Sequence, residues 1–325
     1  MDETNVKSFE PAGVSAAGAV ELVESLEANI GRVLKGKSEV IRLAVVSILA
    51  RGHVLIEDVP GVGKTTLAQS LARSLGLTFQ RIQFTSDLLP SDIIGVSVFS
   101  QKRDEFEFVA GPIFANVVLA DEINRASPKT QSALLEAMGE RKVSVDRSRY
   151  DLPLPFFVLA TQNPHEYTGT FPLPESQLDR FLMALQVGYP PRGEERALLI
   201  SGGVESDLES LSPVLSRDQL LTLQQRAASV KVAEKLADYM LVLAESTRNS
   251  EDFLLGVSTR AIQDLYRACQ ATALCAGRDY AIPDDVQQLA PSVLGHRVAL
   301  RHQAGDLGVA RDAIQRELER IPVPI

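Results

Sequence analysis

The sequence contains few cysteines and histidines, no tryptophan and no long hydrophobic run. Of its 325 residues, two are cysteine and four are histidine. Cys269 and Cys275 do not form a C-x-x-C motif, and the histidines lack metal-ligand spacing, so we expect neither a disulfide framework nor a zinc site. The longest apolar runs, such as Leu43–Ala50, are much shorter than the roughly 20 residues of a membrane span. These absences favour a protein without a membrane span that works in the reducing cytoplasm.

The chain also has no excess of positive charge. Its formal net charge is -9, with 45% hydrophobic and 23% charged residues, which is an ordinary composition for a globular protein. Proteins that bind nucleic acid as their main task usually carry a basic excess, so we do not expect nucleic acid as the partner. The first residues, MDETNVKSFEPAG, are polar and do not resemble a signal peptide. We expect a flexible leader over residues 1–17.

Short apolar strands alternate with helical patterns in the first part of the chain. The predicted strands are HVLIED, TFQRIQF, NVVLADE and FFVLATQN, and the helices between them include KTTLAQSLARSL and SPKTQSALLEAMGE. This alternation is typical of a mostly parallel sheet with crossover helices. After Pro190, Pro191 and Gly193 only helical patterns follow. We therefore predict an α/β domain over residues 18–190 and a small all-helical domain over residues 191–325.

The segment VLIEDVPGVGKTTLAQSLA, residues 54–72, contains most of a phosphate-binding loop. Its end matches the motif G-x-x-x-x-G-K-[ST], but Asp58 stands where the motif has its first glycine. Backbone N–H groups at the start of the following helix can surround an anion. Lys64 would contact the β- and γ-phosphates, and the Thr65 hydroxyl would bind Mg²⁺. The candidate nucleotide-binding residues in this loop are Pro60, Gly61, Val62, Gly63, Lys64, Thr65 and Thr66.

A second motif, NVVLADEIN, ends an apolar strand with two carboxylates. This is the Walker B arrangement, in which Asp121 would hold Mg²⁺ and Glu122 would orient and polarise the attacking water. A solvated acidic pair is the alternative, but a phosphate loop one crossover earlier favours a site for ATP and Mg²⁺. The later strand FFVLATQN ends at Asn163, whose amide could contact the γ-phosphate or the water. A strand-end asparagine is not diagnostic by itself.

The motifs DVPGVGKTTLA, LADEINRASPKTQSALLEAM, LATQNP, LPESQLDRF and GVSTRA together resemble the MoxR family of AAA+ ATPases. They follow the order of that family over residues 22–294, and the first loop glycine is often absent there. The resemblance implies a P-loop α/β core with β-hairpin inserts and a helical lid. It also implies that Asn163 is the sensor-1 residue, that Arg180 is an arginine finger for a neighbouring subunit, and that Arg260 is the sensor-2 arginine.

Some of these roles have alternatives in the residues themselves. Arg125, just after the Walker B carboxylates, is the rival trans-acting arginine. Arg260 follows a predicted N-cap, Ser258, and a cation in the first helical turn opposes the helix dipole, which suggests that it binds an anion. By its distance from the phosphate loop, the resemblance places adenine against Val33 and Gly36.

The same resemblance bears on assembly and partners. Residues 95–112 and 140–153 are predicted β-hairpins that would contact a substrate or partner, although they could be ordinary surface hairpins. An arginine finger in trans requires head-to-tail contacts that close into a ring, and the family suggests a homo-hexamer. It also implies a client protein to be matured or activated, such as one with a von Willebrand factor A domain. A nucleic-acid motor, the ATPase subunit of a metal chelatase and a low-turnover nucleotide switch stay open as alternatives.

Overall fold

A computed structural model of the chain describes residues 16–146, 148–163, 169–201, 203–302 and 306–324. Its strands are β1 (Val54–Glu57), β2 (Phe79–Gln83), β3 (Gly95–Ser100), β4 (Glu105–Ala110), β5 (Val117–Asp121), β6 (Lys142–Val145), β7 (Ser148–Asp151), β8 (Phe157–Gln162), β9 (Met183–Leu185), β10 (Phe253–Leu255) and β11 (Ala299–Leu300). Its helices are α1 (Ala16–Gly31), α2 (Ser38–Leu49), α3 (Lys64–Ser74), α4 (Pro90–Ile94), α5 (Pro128–Glu140), α6 (Glu175–Leu178), α7 (Arg192–Ser201), α8 (Glu205–Glu209), α9 (Arg217–Ala228), α10 (Glu234–Asn249), α11 (Thr259–Cys275), α12 (Pro283–Leu294) and α13 (Leu307–Arg320). The predicted leader lies outside the described residues, except that its last two residues begin α1. Within these ranges, none of the helices has both the length and the apolar character that a membrane crossing requires.

The central sheet has five parallel strands in the order β2-β5-β8-β1-β9. This confirms the predicted parallel sheet, and four of the five strands coincide with the predicted ones. The sequence pattern does not predict β9, because three consecutive buried residues are too short a run to distinguish a strand from other core structure. In this topology the carboxyl ends of β5, β8 and β1 lie side by side at one edge of the sheet.

Alternate residues of each central strand face two different helical layers. In β1, Val54 and Ile56 pack in the hydrophobic cluster that contains α1, α2 and α3. Leu55, between them, packs in the opposite cluster with Leu134 and Leu135 of α5. Since successive side chains of a strand point to opposite faces, a strand covered on both sides must be apolar throughout. This explains why β1, β5 and β8 are nearly continuous hydrophobic runs, whereas the edge strand β2 carries exposed polar residues.

Polar side chains fix where two of the later helices begin. Ser216 and Gln219 form a capping box at the start of α9. Ser258 caps α11, as predicted, because its hydroxyl oxygen accepts the N–H of Ala261 at 3.0 Å. The cap determines that Arg260 lies in the first turn of α11.

Helices α9 to α13, which we call the lid together with β10 and β11, pack against the core domain. Their apolar residues share one hydrophobic cluster with α1, α2 and α3, and Gln224 of α9 donates a hydrogen bond to the Ile48 carbonyl at 2.7 Å. The prediction that the lid contains no strand is wrong, since β10 and β11 form a short antiparallel pair. With three and two residues, these strands are too short to show an alternating pattern.

Both predicted hairpins are confirmed, and they contact each other. Strands β3 and β4 form the first, and β6 and β7 form the second. The rings of Phe108 and Tyr150 stack with their centroids 3.9 Å apart, and the Ser97 hydroxyl donates to Asp146 at 2.7 Å. The two hairpins therefore form one continuous projection from the core domain.

His53, directly before β1, is buried and uses both ring nitrogens. Its Nδ1 accepts the N–H of Val158 at 3.1 Å, and its Nε2 lies 3.3 Å from the Met138 carbonyl oxygen. This arrangement requires a neutral ring with the proton on Nε2, because a proton on Nδ1 would face another N–H donor. Burial lowers the pKa of His53 to about 4.

We expect this histidine to destabilise the protein in mild acid. Because its folded-state pKa lies below the ordinary value of about 6.5, the unfolded state binds the proton first, and stability is lost as pH falls from 6.5 towards 4. Between pH 7.5 and pH 5.5 the loss from this one group is about 1 kcal/mol. Urea denaturation at both pH values, with the His53→Gln variant as comparison, measures it. An equal pH dependence in the two proteins would contradict this assignment.

Candidate functional site: the carboxyl edge of the sheet

Asp58, which replaces the first glycine of the phosphate-loop motif, anchors the loop. Its Oδ2 accepts the N–H of Gly188 at 2.6 Å, and its Oδ1 accepts the N–H of Val59 at 2.8 Å. The carboxylate thus ties the end of β1 to the segment that follows β9. The position that lacks the usual glycine therefore has a structural function, and the phosphate-binding half of the loop follows it unchanged.

The second half of the loop has the backbone that an anion site needs. Gly61 and Gly63 have φ angles of +86° and +99°, in the left-handed region that favours glycine. Gly63 directly precedes α3, so Lys64, Thr65 and Thr66 form the first helical turn. The Lys64 ammonium group donates to the carbonyls of Asp58 and Val59 at 2.7 and 3.1 Å. The lysine therefore folds back over the loop, whose other predicted members are exposed Pro60 and buried Val62.

Asp121, at the carboxyl end of β5, is buried and bonded through both carboxylate oxygens. Its Oδ1 accepts the Thr161 hydroxyl at 2.7 Å. Its Oδ2 accepts two N–H groups of Arg81, from Nη2 at 2.5 Å and from Nε at 3.1 Å. Sequence reasoning missed Arg81 and Thr161, which come from the strands on either side of β5.

Glu122 adopts a left-handed backbone conformation, with φ of +58°. Such a conformation is strained for a residue with a side chain, and it is often found at functional sites. The Glu122 N–H donates to the Thr161 hydroxyl at 2.9 Å. Its carboxylate Oε2 accepts Gln83 Nε2 at 2.9 Å and pairs with Arg125 Nε at 3.2 Å. Arg125, the rival trans-acting arginine, therefore contacts Glu122 of its own chain.

Arg81 and Gln83 could have been suspected from the sequence. In TFQRIQF the two polar residues alternate with Ile82, which is buried, so both lie on the same face of β2. Their relation to the Walker B carboxylates depends on the pairing of β2 with β5, where Gln83 is the partner of Asp121. That pairing is not visible in the sequence.

Asn163 follows β8 at the same edge of the sheet. The preceding residue, Gln162, is the partner of Glu57 in β1, and its amide donates to the Glu57 carboxylate. Burial raises the pKa of Glu57. The end of β8 is thus fixed to the strand that leads into the phosphate loop, which brings Asn163 to the same edge as Lys64, Asp121 and Glu122. Residues 164–168, which continue the motif, lie outside the described part.

Arg180 and Arg260 lie on two segments that contact each other. Arg180 donates to the Leu135 carbonyl of α5 at 2.6 Å, and α5 covers the face of the sheet opposite α3. Ser258, the cap of the helix that carries Arg260, donates to Asp179 at 2.8 Å. The segments that carry the two arginines are therefore in contact through Asp179 and Ser258, and Arg180 itself bonds α5.

A buried ion-pair network holds this second region in place. The Arg297 side chain is fully buried, and it pairs with Asp264 at 2.6 Å and with Asp179 at 3.3 Å. It also donates to the Phe181 carbonyl. Since Asp179 and Phe181 flank Arg180, the lid holds both neighbours of the predicted finger, Asp179 through its carboxylate and Phe181 through its backbone carbonyl.

The two residues predicted to contact adenine, Val33 and Gly36, pack against different segments of the chain. Val33 is 2% exposed and packs against Leu208 and Leu211. Gly36 has φ of +71°, and a Cβ there would lie 2.8 Å from Cδ of Pro191. Leu34, between them, approaches the phosphate loop, since a Cβ at Gly63 would lie 3.1 Å from its Cδ1. Contact of Val33 and Gly36 with a base stays a prediction.

The residues at the carboxyl edge suit ATP and Mg²⁺. Thr65 and Asp121 supply hydroxyl and carboxylate oxygens, the ligand type that Mg²⁺ prefers. The loop supplies backbone N–H groups at a helix N-terminus, together with the charge of Lys64, which suits phosphate. Glu122 adds a carboxylate next to these groups.

The fold and this site define a P-loop ATPase of the AAA+ class, with a parallel α/β core followed by a helical lid. Comparison with family models agrees. Residues 53–183 match the ATPase family associated with various cellular activities (AAA), and residues 245–318 match the AAA lid domain.

Comparison with known proteins identifies the family within this class. The chain is 49% identical to YeaC of Bacillus subtilis, described as uncharacterized, over 91% of this chain and 93% of YeaC. It is 42% identical to Chaperone MoxR1 of Mycobacterium tuberculosis, over 97% of this chain and 86% of that protein. A crystal structure of a candidate ATPase from Cytophaga hutchinsonii superposes with a TM-score of 0.86 at 35% identity, covering 95% of this chain and 97% of the other. The chain belongs to the MoxR family of AAA+ ATPases.

Proposed function

We propose that the protein is a cytoplasmic, Mg²⁺-dependent ATPase that works as a homo-oligomeric ring and remodels a client protein. One observation carries the ATPase proposal: the phosphate loop, both Walker B carboxylates and Asn163 converge at one edge of the sheet. The name of the relative Chaperone MoxR1 supports an action on other proteins. By family resemblance the ring is a hexamer, and a client with a von Willebrand factor A domain would suit it.

Each residue at this edge has a separate task in the proposed reaction. The loop N–H groups and Lys64 bind the β- and γ-phosphates, while Thr65 and Asp121 hold Mg²⁺. A bound Mg²⁺ ion neutralises charge on the phosphates. Glu122 orients the attacking water and accepts its proton, and Asn163 helps to position that water or the γ-phosphate.

The second region supports the proposal of a ring. The segments that carry Arg180 and Arg260 are joined by the bond between Asp179 and Ser258, and Arg180 bonds α5, which covers the face of the sheet opposite α3. We propose that both serve the γ-phosphate bound by a neighbouring subunit. A contact between two different surfaces of identical subunits is called heterologous. Such contacts form a closed ring when the rotation that relates successive subunits returns to the first subunit.

The hairpin projection is the proposed contact with the client. On the first hairpin, Phe99 and Phe106 face each other across the strands with 47% and 72% of their surface exposed, and their ring centroids lie 5.4 Å apart. Contiguous exposed apolar patches commonly mark protein interaction sites. Client capture by the unsubstituted protein and by Phe106→Ser separates this role from that of an ordinary surface hairpin. If the hairpin contacts the client, the variant should capture less of it, and an ordinary hairpin predicts equal capture.

Replacement of Lys64 by alanine tests the nucleotide site. The variant loses a charged hydrogen-bond donor to phosphate, and we expect ATP affinity to fall by about 100-fold. Titration with a fluorescent ATP analogue measures this, and Lys102→Ala, on the exposed turn of the first hairpin, is the matched control. Unchanged affinity in the Lys64 variant would remove the loop assignment.

One observation favours a second candidate, a nucleotide switch with little turnover. Gln83 and Arg125 both bond the Glu122 carboxylate, and a carboxylate held in this way is less free to act on water. If the unsubstituted protein binds ATP tightly but hydrolyses it as slowly as a variant without this carboxylate, the switch is the better description.

A further inference from the structure

We propose that Arg81 is an internal counter-cation of the metal site. In this view Arg81 pairs with Asp121 when no ion is bound and must leave it when Mg²⁺ binds, so that Arg81 sets the Mg²⁺ concentration that the site requires. This inference rests on the proposed function, because it takes Asp121 as the Mg²⁺ ligand. It assigns a task to a residue outside the loop and Walker B motifs.

The geometry of the pair is specific. Arg81 Nη2 and Nε donate to the same oxygen, Asp121 Oδ2, at 2.5 and 3.1 Å. A carboxylate oxygen has about two lone-pair positions, so these two bonds occupy those of Oδ2. The Thr161 hydroxyl binds the other oxygen, Oδ1. A cation that binds at Oδ2 therefore competes with Arg81 for the same lone pairs.

Burial explains why Asp121 needs a counter-cation. The residue is 8% exposed, and an ionised carboxylate that is removed from water without a partner is strongly disfavoured. The hydroxyl of Thr161 provides a hydrogen bond but no charge. Arg81 supplies that charge, and an arginine does not lose its proton in a protein. Arg81 thereby balances the charge of the buried Asp121 carboxylate.

The position of Arg81 also allows it to leave. It belongs to β2, the edge strand of the central sheet, and its side chain is 50% exposed, against 11% for that of Asp121. An arginine at the edge can turn into water and regain hydration, whereas Asp121 at the end of β5 stays in the site. The pair is therefore stable without an ion and can separate in its presence.

Arg81 also links the two Walker B carboxylates. Its Nη2 donates to Gln83 Oε1 at 3.0 Å, and Gln83 Nε2 donates to Glu122 at 2.9 Å. Movement of Arg81 away from Asp121 thus removes one of the bonds that orient Gln83. The alternative is that Arg81 only orients Asp121 for the ion. In that case replacement of Arg81 would raise the Mg²⁺ concentration that the site requires instead of lowering it.

The test is the Mg²⁺ dependence of mant-ADP binding, which needs no turnover. Fluorescence titrations run from EDTA to millimolar Mg²⁺ on the unsubstituted protein, Arg81→Ala, Arg81→Lys and Arg320→Ala. Arg320 forms a comparable ion pair with Glu317, at 2.7 Å in α13, and serves as the control. Because the pair is partly exposed, we expect Arg81→Ala to lower the half-saturating Mg²⁺ concentration by about three- to tenfold. Arg81→Lys should lower it less, and Arg320→Ala should leave it unchanged.

A half-saturating concentration that stays the same or rises in both Arg81 variants would overturn the inference and favour an orienting role. If Arg81→Ala does not fold, as judged by its thermal melt, Arg81→Lys alone decides. A lower half-saturating Mg²⁺ concentration in that variant supports the inference, and an equal or higher one overturns it. If the unsubstituted protein binds no mant-ADP, or binds it without any response to Mg²⁺, the proposed function fails and this inference fails with it.

Discussion

Replacement of Glu122 by glutamine is expected to lower ATP turnover by about 10²- to 10³-fold while ATP binding persists. Glutamine has the same shape and can keep a hydrogen bond with Gln83, but its amide cannot accept the proton of the attacking water. The loop and Asp121, which bind the phosphates and the ion, are unchanged. Phosphate release measures the turnover, and titration with a fluorescent ATP analogue measures the binding.

The matched control for this variant is Glu136→Gln, on the exposed side of α5, which should hydrolyse ATP normally. Normal turnover in the Glu122 variant would move the general-base role to another residue. If the unsubstituted protein is already as slow as the variant, the carboxylate contributes little and the switch function is supported.

Replacement of Arg180 by alanine is expected to lower turnover by about 10³-fold, with ATP affinity preserved. An arginine finger acts on charge that develops in the transition state, so its loss affects turnover more than binding. The bond to Leu135 uses one of the five N–H donors of the guanidinium, so the side chain can hold this contact and still offer others. Arg180→Lys keeps the charge without the planar fork and should restore only part of the rate.

A loss of ATP affinity in Arg180→Ala, equal to the loss of turnover, would contradict a role in the transition state. The variant must also keep its fold, because both neighbours of residue 180, Asp179 through its carboxylate and Phe181 through its carbonyl, are bonded to Arg297 of the lid. A lowered melting temperature in Arg180→Ala would indicate a damaged contact with the lid. An unchanged melting temperature with low turnover would indicate the loss of a catalytic group.

The central sheet and the nucleotide edge could be predicted from the sequence because both depend on local patterns. An apolar run followed by a glycine-rich turn and a helix specifies a strand, a loop and the direction of the helix dipole, and two carboxylates after the next buried run specify their place at the same edge. The strand β9 and the pair β10–β11 could not be predicted, because two or three residues are too few to show a period.

The partners of the carboxylates depended on contacts between distant segments. Arg81 lies 40 residues before Asp121 in the chain, and it is a neighbour only because β2 pairs with β5. The location of Arg260 has the same origin. Its place in the first turn of α11 follows from Ser258, but the contact of its segment with that of Arg180 depends on the docking of the lid through Asp179, Asp264 and Arg297.

The measurement that tests the shared active site most directly is ATP turnover in a mixture of Arg180→Ala and Lys64→Ala subunits. Each variant alone should be inactive, but a Lys64→Ala subunit can still offer Arg180 to the intact nucleotide site of an Arg180→Ala neighbour. In an equimolar mixture with random assembly, about a quarter of the contacts have this arrangement, so up to about a quarter of the normal turnover should return. The control is a mixture of Arg180→Ala subunits with subunits that carry both substitutions. It should stay inactive, because no subunit in it offers Arg180. If no activity returns in the first mixture although mixed assemblies form, Arg180 does not act across a subunit contact, and the ring mechanism proposed for this protein is wrong.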